Sequence, residues 1–120
     1  MAGALIMNAE QASRLLDGID DALLSFARQH HMHLRKNTHF EAINRELRWR
    51  EDGNDKAINI EYTYTDDPLF EVSVSVTSVR RFRRKAAAPV WHPVRVITLP
   101  VTDPEIDDLL VDSKTQLDAS

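Results

Sequence analysis

The chain has 120 residues, of which 42% are hydrophobic and 28% charged, and its formal net charge is −4. This length predicts one domain with a single core, and the composition is ordinary for a globular protein. The absence of cysteine excludes disulfides, thiolate metal sites and cysteine nucleophiles. No apolar run approaches the roughly 20 residues of a membrane span, and residues 1–7 do not form a signal peptide. We therefore expect a soluble cytoplasmic protein.

Charge is unevenly distributed along the chain. Residues 72–102 hold six basic and no acidic side chains, whereas residues 103–120 hold six acidic and one basic. Blocks of opposite charge can pair with each other or leave one block free for a partner. The sequence leaves open which of these applies to the basic block and the acidic C-terminal segment.

The first predicted element is an amphipathic helix over residues 9–31. Asn8 and Gln11 form a helix-start pattern, and apolar residues then recur at three- and four-residue steps. The members of this stripe are Ala12, Leu15, Leu16, Ile19, Ala22, Leu23, Phe26 and Ala27. Gly18 costs about 1 kcal/mol relative to alanine inside a helix, a cost that a stripe of this length can absorb.

Four histidines lie within ten residues near the end of this helix, namely His30, His31, His33 and His39. Such a cluster is one way to bind a metal ion, but no further ligand stands at a recognisable spacing. Histidines are also favoured at a helix C-terminus by the helix dipole. We therefore predict a polar helix end and no metal site, and no pattern in the chain predicts a cofactor.

Residues 34–46 are ambiguous between helix and strand. The segment 38–41 has a capping-box pattern, which favours a helical turn. Ile43, Arg45, Leu47 and Trp49 alternate with polar residues, as in a strand. A strong hairpin turn at 52–55 also requires a strand before it. We predict a strand over residues 43–51.

The clearest pattern is a β-hairpin that begins at residue 58. Apolar and polar side chains alternate on both sides of a turn at 65–68. The predicted inner face consists of Ile58, Ile60, Tyr62, Tyr64, Phe70, Val72, Val74 and Val76. Ser73, Ser75 and Thr77 give the outer face small hydroxyl side chains, which would let a second copy of the chain approach closely. A homodimer through this face is one expectation, and a solvated face is the other.

The last part of the chain predicts a strand over 94–99 and then a helix. Pro89 and Pro93 do not fit a regular ladder, so a loop precedes this strand. Asp103 is predicted to cap the helix and Pro104 to occupy its first position. Its apolar stripe is Ile106, Leu109, Leu110 and Leu117.

These elements predict an α+β fold in the order α-β-β-β-β-α. Residues 1–120 would form a single two-layer domain, in which a four-stranded antiparallel meander carries both terminal helices on one face. Residues 1–7 and 118–120 are expected to be flexible.

No pattern in the chain points to an enzyme. Gly3, Gly18 and Gly53 are the only glycines, so the chain lacks a P-loop, a dinucleotide-binding fingerprint and a nucleophile elbow. The absence of a recognisable catalytic motif makes an enzyme the less favoured reading, and the question stays open.

The predicted binding site combines cations with an aromatic residue. Residues 80–85, called the basic run below, hold five cations, and a tryptophan follows in the proline-flanked loop. The predicted site residues are Arg80, Arg81, Arg83, Arg84, Lys85, Trp91 and His92. The cations would steer an acidic protein partner, and an exposed tryptophan would anchor it.

These features predict a small protein-binding domain with an adaptor or regulatory role. The alternative is a nucleic-acid-binding protein that uses the basic run, because arginine clusters neutralise phosphates. The sequence pI of about 5.7 argues against that alternative. No membrane partner is expected.

Overall fold

The computed structural model describes the backbone of residues 2–37, 43–62, 70–82, 85–86 and 88–118, and the side chains of residues 10–37, 43–62, 70–80 and 88–118. The helices are α1 (Ala2–Asp17), α2 (Asp20–Gln29) and α3 (Asp103–Asp118). The strands are β1 (His33–Asn37), β2 (Asn44–Glu51), β3 (Asn54–Tyr62), β4 (Phe70–Phe82), β5 (Lys85–Ala86) and β6 (His92–Leu99). None of these helices is long and apolar enough to cross a membrane. The predicted α+β class is confirmed.

Five strands of the described chain form one antiparallel sheet in the order β1-β2-β3-β4-β6, and β5 pairs only with the end of β4. The predicted four-stranded meander is therefore wrong in its strand count, because β1 was not foreseen. Only Leu34 of this strand is partly buried, so β1 shows no apolar alternation. It joins the sheet as an edge strand, with Leu34 opposite Leu47 of β2. Within the ambiguous range 34–46, residues 34–37 and 44–46 are strand, and Ile43 immediately precedes β2.

The predicted single helix over residues 9–31 begins earlier, at Ala2, and is divided in two. Gly18 and Ile19 separate α1 from α2, and the amide of Gly18 donates to the carbonyl of Leu15 at 3.2 Å. This tighter three-residue bond is typical of a helix end. The low helix propensity of glycine thus ends α1 at this point, although the apolar stripe continues into α2.

The other end of α2 also differs from the prediction. The helix ends at Gln29, and His31 has a positive φ of 56° in the turn that follows. His33 already belongs to β1, so His30 and His33 do not share a helix face. Instead, the His30 ring packs on Phe26 with 4.2 Å between the ring centroids.

One core joins the helices to a single face of the sheet. Its largest contributors are the apolar stripes of the helices and the inward residues of β2, β3 and β4. The buried members are Ala12, Leu16, Ile19, Ala22, Leu23, Phe26, Ala27, Ile43, Leu47, Ile58, Ile60, Tyr62, Val72, Val74, Val76, Leu99, Ile106, Leu109, Leu110 and Leu117. All three helices therefore cover the same side of the sheet. We call the opposite side the open face.

A buried arginine ties the helices to the sheet. The Arg45 side chain is fully buried on the helix side of β2. Its Nε donates to Asp20 Oδ1 at 2.7 Å and its Nη2 to Asp17 Oδ1 at 2.8 Å. Lys36 Nζ of β1 lies 2.8 Å from the other oxygen of Asp20. The network connects both ends of the α1–α2 break to the two strands beneath it.

A capping box starts α3, but its cap residue differs from the prediction. The amide of Thr102 donates to Glu105 Oε2 at 2.8 Å, and the amide of Glu105 lies 3.4 Å from Thr102 Oγ1. These reciprocal bonds make Thr102 the cap. Asp103 and Pro104 then follow as the first two helical residues.

The hairpin turn predicted at 52–55 is shorter in the structure, since only Asp52 and Gly53 separate β2 from β3. Asp52 has φ 54° and Gly53 has φ 76°, the two positive values that a type I′ turn requires. A two-residue turn fixes the register of the two strands. It therefore decides which polar side chains stand opposite each other on the open face.

Candidate functional site on the open face of the sheet

The segment before β6 folds onto the open face. Thr77 Oγ1 of β4 donates to the carbonyl of Val90 at 2.8 Å, and this bond holds the segment against the strand. Trp91 comes next in the chain and remains 38% exposed. The indole thus lies on the side of the sheet that the helices leave uncovered.

Trp91 borders a groove of about 390 Å³. The groove is lined by one residue of the β4–β6 connection and by open-face residues of three strands, namely Asn44, Glu46, Asn59, Glu61, Ser75 and Trp91. We call this site the Trp91 groove. Its floor combines two carboxylates, two amides and a hydroxyl, and its wall is aromatic.

The strand register arranges the groove floor. Asn44 stands opposite Glu61, and Glu46 stands opposite Asn59. Ser75 of β4 lies opposite Asn59 on the other side. Each carboxylate therefore has an amide directly across the strand pair, where side chains are close enough to interact.

The two amides of the floor are hydrogen-bonded to each other. Asn44 Nδ2 donates to Asn59 Oδ1 at 2.8 Å. Asn59 is only 8% exposed, and its own Nδ2 donates to no acceptor among the residues whose side chains are described. A donor is therefore held in the floor of the groove, available to a ligand.

The two carboxylates of the floor differ in their charge balance. Glu46 forms an ion pair with Arg48, whose Nε lies 2.7 Å from Glu46 Oε1, and Arg35 of β1 is its register partner. Glu61 is exposed and has no cationic partner within the described ranges. The uncompensated negative charge of the groove thus belongs to Glu61.

Arg48 and Arg50 also lie on the open face, but each is paired with an acidic residue. Arg48 is paired with Glu46, and Arg50 Nε lies 3.3 Å from Asp55 Oδ1. Both arginine side chains are more than half exposed, so these pairs are solvent-screened and contribute little stability.

The structure describes only part of the predicted binding site. Arg80 is exposed near the end of β4 and has no ion-pair partner in the part of the chain that the structure describes. The backbone places Arg81 opposite Ala86 and Lys85 opposite Phe82. The side chains of these two cations, and Arg83 and Arg84 altogether, lie outside the described residues.

Acidic residues of α3 pair with residues outside the basic run. Arg95 of β6 pairs with Asp112, and Lys56 Nζ of β3 lies 3.7 Å from Asp118 Oδ1. Arg80, the one member of the run with a described side chain, has no partner on this helix. That the run is free for a partner stays a prediction.

His92 does not join Trp91 in the groove. It is exposed and stands opposite Val76, a core residue of β4. Among the residues that the structure describes, no three His, Asp or Glu side chains are grouped to hold a metal ion. His39 lies outside those residues.

Sequence reasoning missed the groove residues Asn44, Glu46, Asn59 and Glu61, although the chain carries a signal for them. The two-residue turn at Asp52 and Gly53 pairs every residue of β2 with one of β3. Polar alternation places these four side chains on the face away from the apolar residues. The strand register set by the turn, combined with the polar alternation, would have predicted that these four side chains form the floor of the groove.

Comparisons with known proteins assign no family. No protein-family model, curated protein or solved structure matches this chain. The function is therefore inferred from the Trp91 groove and the basic run alone.

Proposed function

We propose that this chain is a cytoplasmic protein-binding domain, with an adaptor or regulatory role, that docks its partner on the open face of the sheet. The observation that carries the proposal is the 38% exposure of Trp91 beside a polar groove. The side chains of Phe26 and Tyr62, in contrast, are buried in the core. Tryptophan is enriched among the residues that contribute most of the binding energy at protein interfaces, so an exposed tryptophan at the edge of a groove fits the role of an anchor.

The energetics favour Trp91 as the anchor. A tryptophan buries on the order of 150–250 Å² when a partner covers it, and anchor residues commonly account for about 2 kcal/mol or more of binding free energy. Polar groups around the anchor then orient the partner. The Trp91 groove supplies such groups from Asn44, Asn59 and Ser75.

The basic run is the second part of the proposed surface. An acidic segment of the partner would be attracted by its five cations, which raises the association rate and makes that rate sensitive to salt. Arg80 supports this role because it is exposed at the end of β4. In this proposal the run accelerates encounter, and Trp91 provides the desolvated contact.

Affinity capture with matched variants tests the proposed function. Tagged chain is incubated with lysate of the source cell, and the protein retained is identified and then purified. We expect Trp91→Ala to weaken binding of that purified protein at least about tenfold. Val111→Ala removes a 53% exposed apolar side chain from α3 on the other layer and should leave binding unchanged. Equal binding by both variants would contradict the proposal.

Nucleic acid is the second candidate ligand, and the exposure of Arg80 in an arginine-rich run favours it. Phosphate binding through such a run would weaken steeply as salt increases. In a gel-shift assay, our proposal predicts no retention of DNA or RNA at physiological salt. Retention there, lost in an Arg80→Glu variant, would favour the nucleic-acid reading instead.

A second copy of the chain is another candidate occupant of the open face. Of the three hydroxyl residues predicted to admit it, Ser73 and Ser75 remain partly exposed, but Thr77 is 4% exposed and bonded to Val90. The mass of the chain in solution decides this point. A mass of one chain is expected if a different protein binds here. Twice that mass, reduced by Ser75→Arg, would identify a homodimer.

A further inference from the structure

We propose that the Trp91 groove recognises an arginine or lysine side chain, presented by an extended segment of the protein partner. The inference rests on the proposed function, because it names the chemistry of the partner at the same site. The cation would lie between the indole of Trp91 and the carboxylate of Glu61, two groups that line one groove. This chemistry differs from that of the basic run, which favours acidic segments.

Charge is the first reason for a cationic occupant. Glu61 faces Asn44 on β2 and Ser73 on β4, so both register partners of this carboxylate are neutral. Glu46 is already paired with Arg48. Glu61 is therefore the groove carboxylate with no cation paired to it in the described structure, and a cation of the partner would pair with it.

The indole is the second reason. Arginine and lysine cations are attracted to the face of an aromatic ring, and tryptophan binds them best. A carboxylate near the same ring adds a charge-assisted hydrogen bond. An acidic side chain would meet repulsion from Glu61 and gain nothing from the ring.

The amide of Asn59 is the third reason, and it points to a peptide. This side chain is 8% exposed, and its Oδ1 is occupied by Asn44 Nδ2 at 2.8 Å. Its Nδ2 is the donor that has no acceptor in the described structure. A backbone carbonyl of an extended segment is an acceptor of the right kind, and burying Nδ2 beneath a ligand without such an acceptor would be costly.

A metal ion fits the groove less well. Divalent metal ions such as Ca²⁺ take six or more oxygen ligands at short distances. Glu46 already pairs with Arg48, and Asn59 Oδ1 already accepts from Asn44, so few oxygen ligands are left to converge on one ion. An arginine or lysine cation, held by one carboxylate and one ring, needs no such convergence.

The test uses three capped tripeptides, Gly-Arg-Gly, Gly-citrulline-Gly and Gly-Glu-Gly. Citrulline keeps the shape of arginine without its charge. Each peptide is titrated into the ¹⁵N-labelled full chain, and the two indole N–H signals are followed by NMR. We expect the arginine peptide to shift the Trp91 signal. Trp49 packs against the core on the other face, so its signal should stay in place as an internal control.

Two variants and a matched control assign the interaction. Glu61→Gln should weaken binding of the arginine peptide about threefold to fivefold, and Trp91→Ala should weaken it by at least as much. Asp107→Asn removes one negative charge from an exposed position of α3 and should change nothing. The remaining amide signals report whether each variant keeps its fold.

Each result either supports or overturns the inference. Selective binding of the arginine peptide that depends on Glu61 supports it. No binding, equal binding of the citrulline peptide, or preference for the glutamate peptide overturns it. A dimer that dissociates when the arginine peptide is added would identify a second copy as the occupant, and would overturn a different protein partner.

Failure of this inference is distinguishable from failure of the proposed function. The arginine peptide could fail to bind while Trp91→Ala still abolishes binding of the captured partner. In that case the proposed cationic ligand is wrong, but the open face remains the docking surface. If the captured partner binds the Trp91→Ala variant as tightly as the natural chain, the proposed function is wrong, regardless of the peptide results.

Discussion

Arg45 has the most deeply buried charge among the described side chains, and its position follows from its partners. A buried ion without partners would cost several kcal/mol. Asp17 and Asp20 supply carboxylates at 2.8 and 2.7 Å, and the carbonyl of Asn44 accepts a third bond at 3.0 Å. The arginine is tolerated in the core because the α1–α2 break presents both aspartates to it.

Removal of Arg45 should destabilise the domain strongly. Arg45→Ala leaves the buried Asp20 without its nearest cation and opens a cavity, so we expect a loss of about 3–5 kcal/mol in the free energy of unfolding. Urea unfolding measures this. Asp17→Asn is the control, because the Asp17 side chain is 55% exposed and should cost less than about 1 kcal/mol. Equal losses in both variants would show that burial does not decide the cost.

Tyr62 should make stability depend on alkaline pH. Burial raises its pKa above the ordinary 10.0, because the phenolate is disfavoured away from water. Below the ordinary value, Tyr62 is protonated in both states and the fold is unaffected. As the pH rises past it, the unfolded chain loses a proton that the folded chain keeps, so stability falls.

Tyr62→Phe removes this titration. We expect the free energy of unfolding to fall less between about pH 9 and about pH 11 in the variant than in the natural chain. Urea unfolding at both pH values provides the comparison, in which the lysines common to both proteins act as the shared background. Equal decreases in the free energy of unfolding of the two proteins would refute the assignment to Tyr62.

At the scale of elements, the β2–β3 turn shows how a short segment sets the geometry of a site. Gly53 has φ 76°, and a Cβ built there would meet no atom within 4 Å. Gly53→Ala should therefore cost about 1–2 kcal/mol through backbone strain alone. Asp52→Asn is the control, since asparagine tolerates positive φ. Urea unfolding distinguishes them, and an alanine variant as stable as the natural chain would contradict this account.

The elements with a periodic apolar pattern could be predicted from the sequence, and those without one could not. The stripe of α3 and the alternation of β3 and β4 depend on burial, which the residue pattern records. β1 has only Leu34 partly buried and exists because β2 offers it an edge. The break at Gly18 follows from the low helix propensity of glycine, and the bonds that Asp17 and Asp20 accept from Arg45 beside it are tertiary contacts that the local pattern does not contain.

The candidate site divides in the same way. The exposure of Trp91 agrees with the loop that Pro89 indicates, but Pro93 is wrongly assigned to that loop, because it lies in β6 opposite Ser75, beside a register irregularity. The groove beside it combines residues of β2, β3 and β4 with that loop, so its chemistry appears only when strand register is known. Glu61 in particular reads as an ordinary solvated strand residue in the sequence.

At the scale of the whole molecule, one face of the sheet stabilises the fold and the other is the proposed binding surface. The helices, the apolar core and the Arg45 network occupy one face and account for stability. The open face carries the Trp91 groove, and Arg80 is exposed near the end of β4. Substitutions that affect binding should therefore map to one face, and those that affect folding to the other.

The most direct test of this division is NMR mapping of the purified partner on the ¹⁵N-labelled chain. The account predicts that the largest changes occur at the Trp91 indole and at the β2 and β3 residues of the Trp91 groove. The Trp49 indole and the exposed surface of α3 should be unaffected. Changes concentrated on α2 and α3, with the Trp91 signal unmoved, would contradict the assignment of the open face as the docking surface.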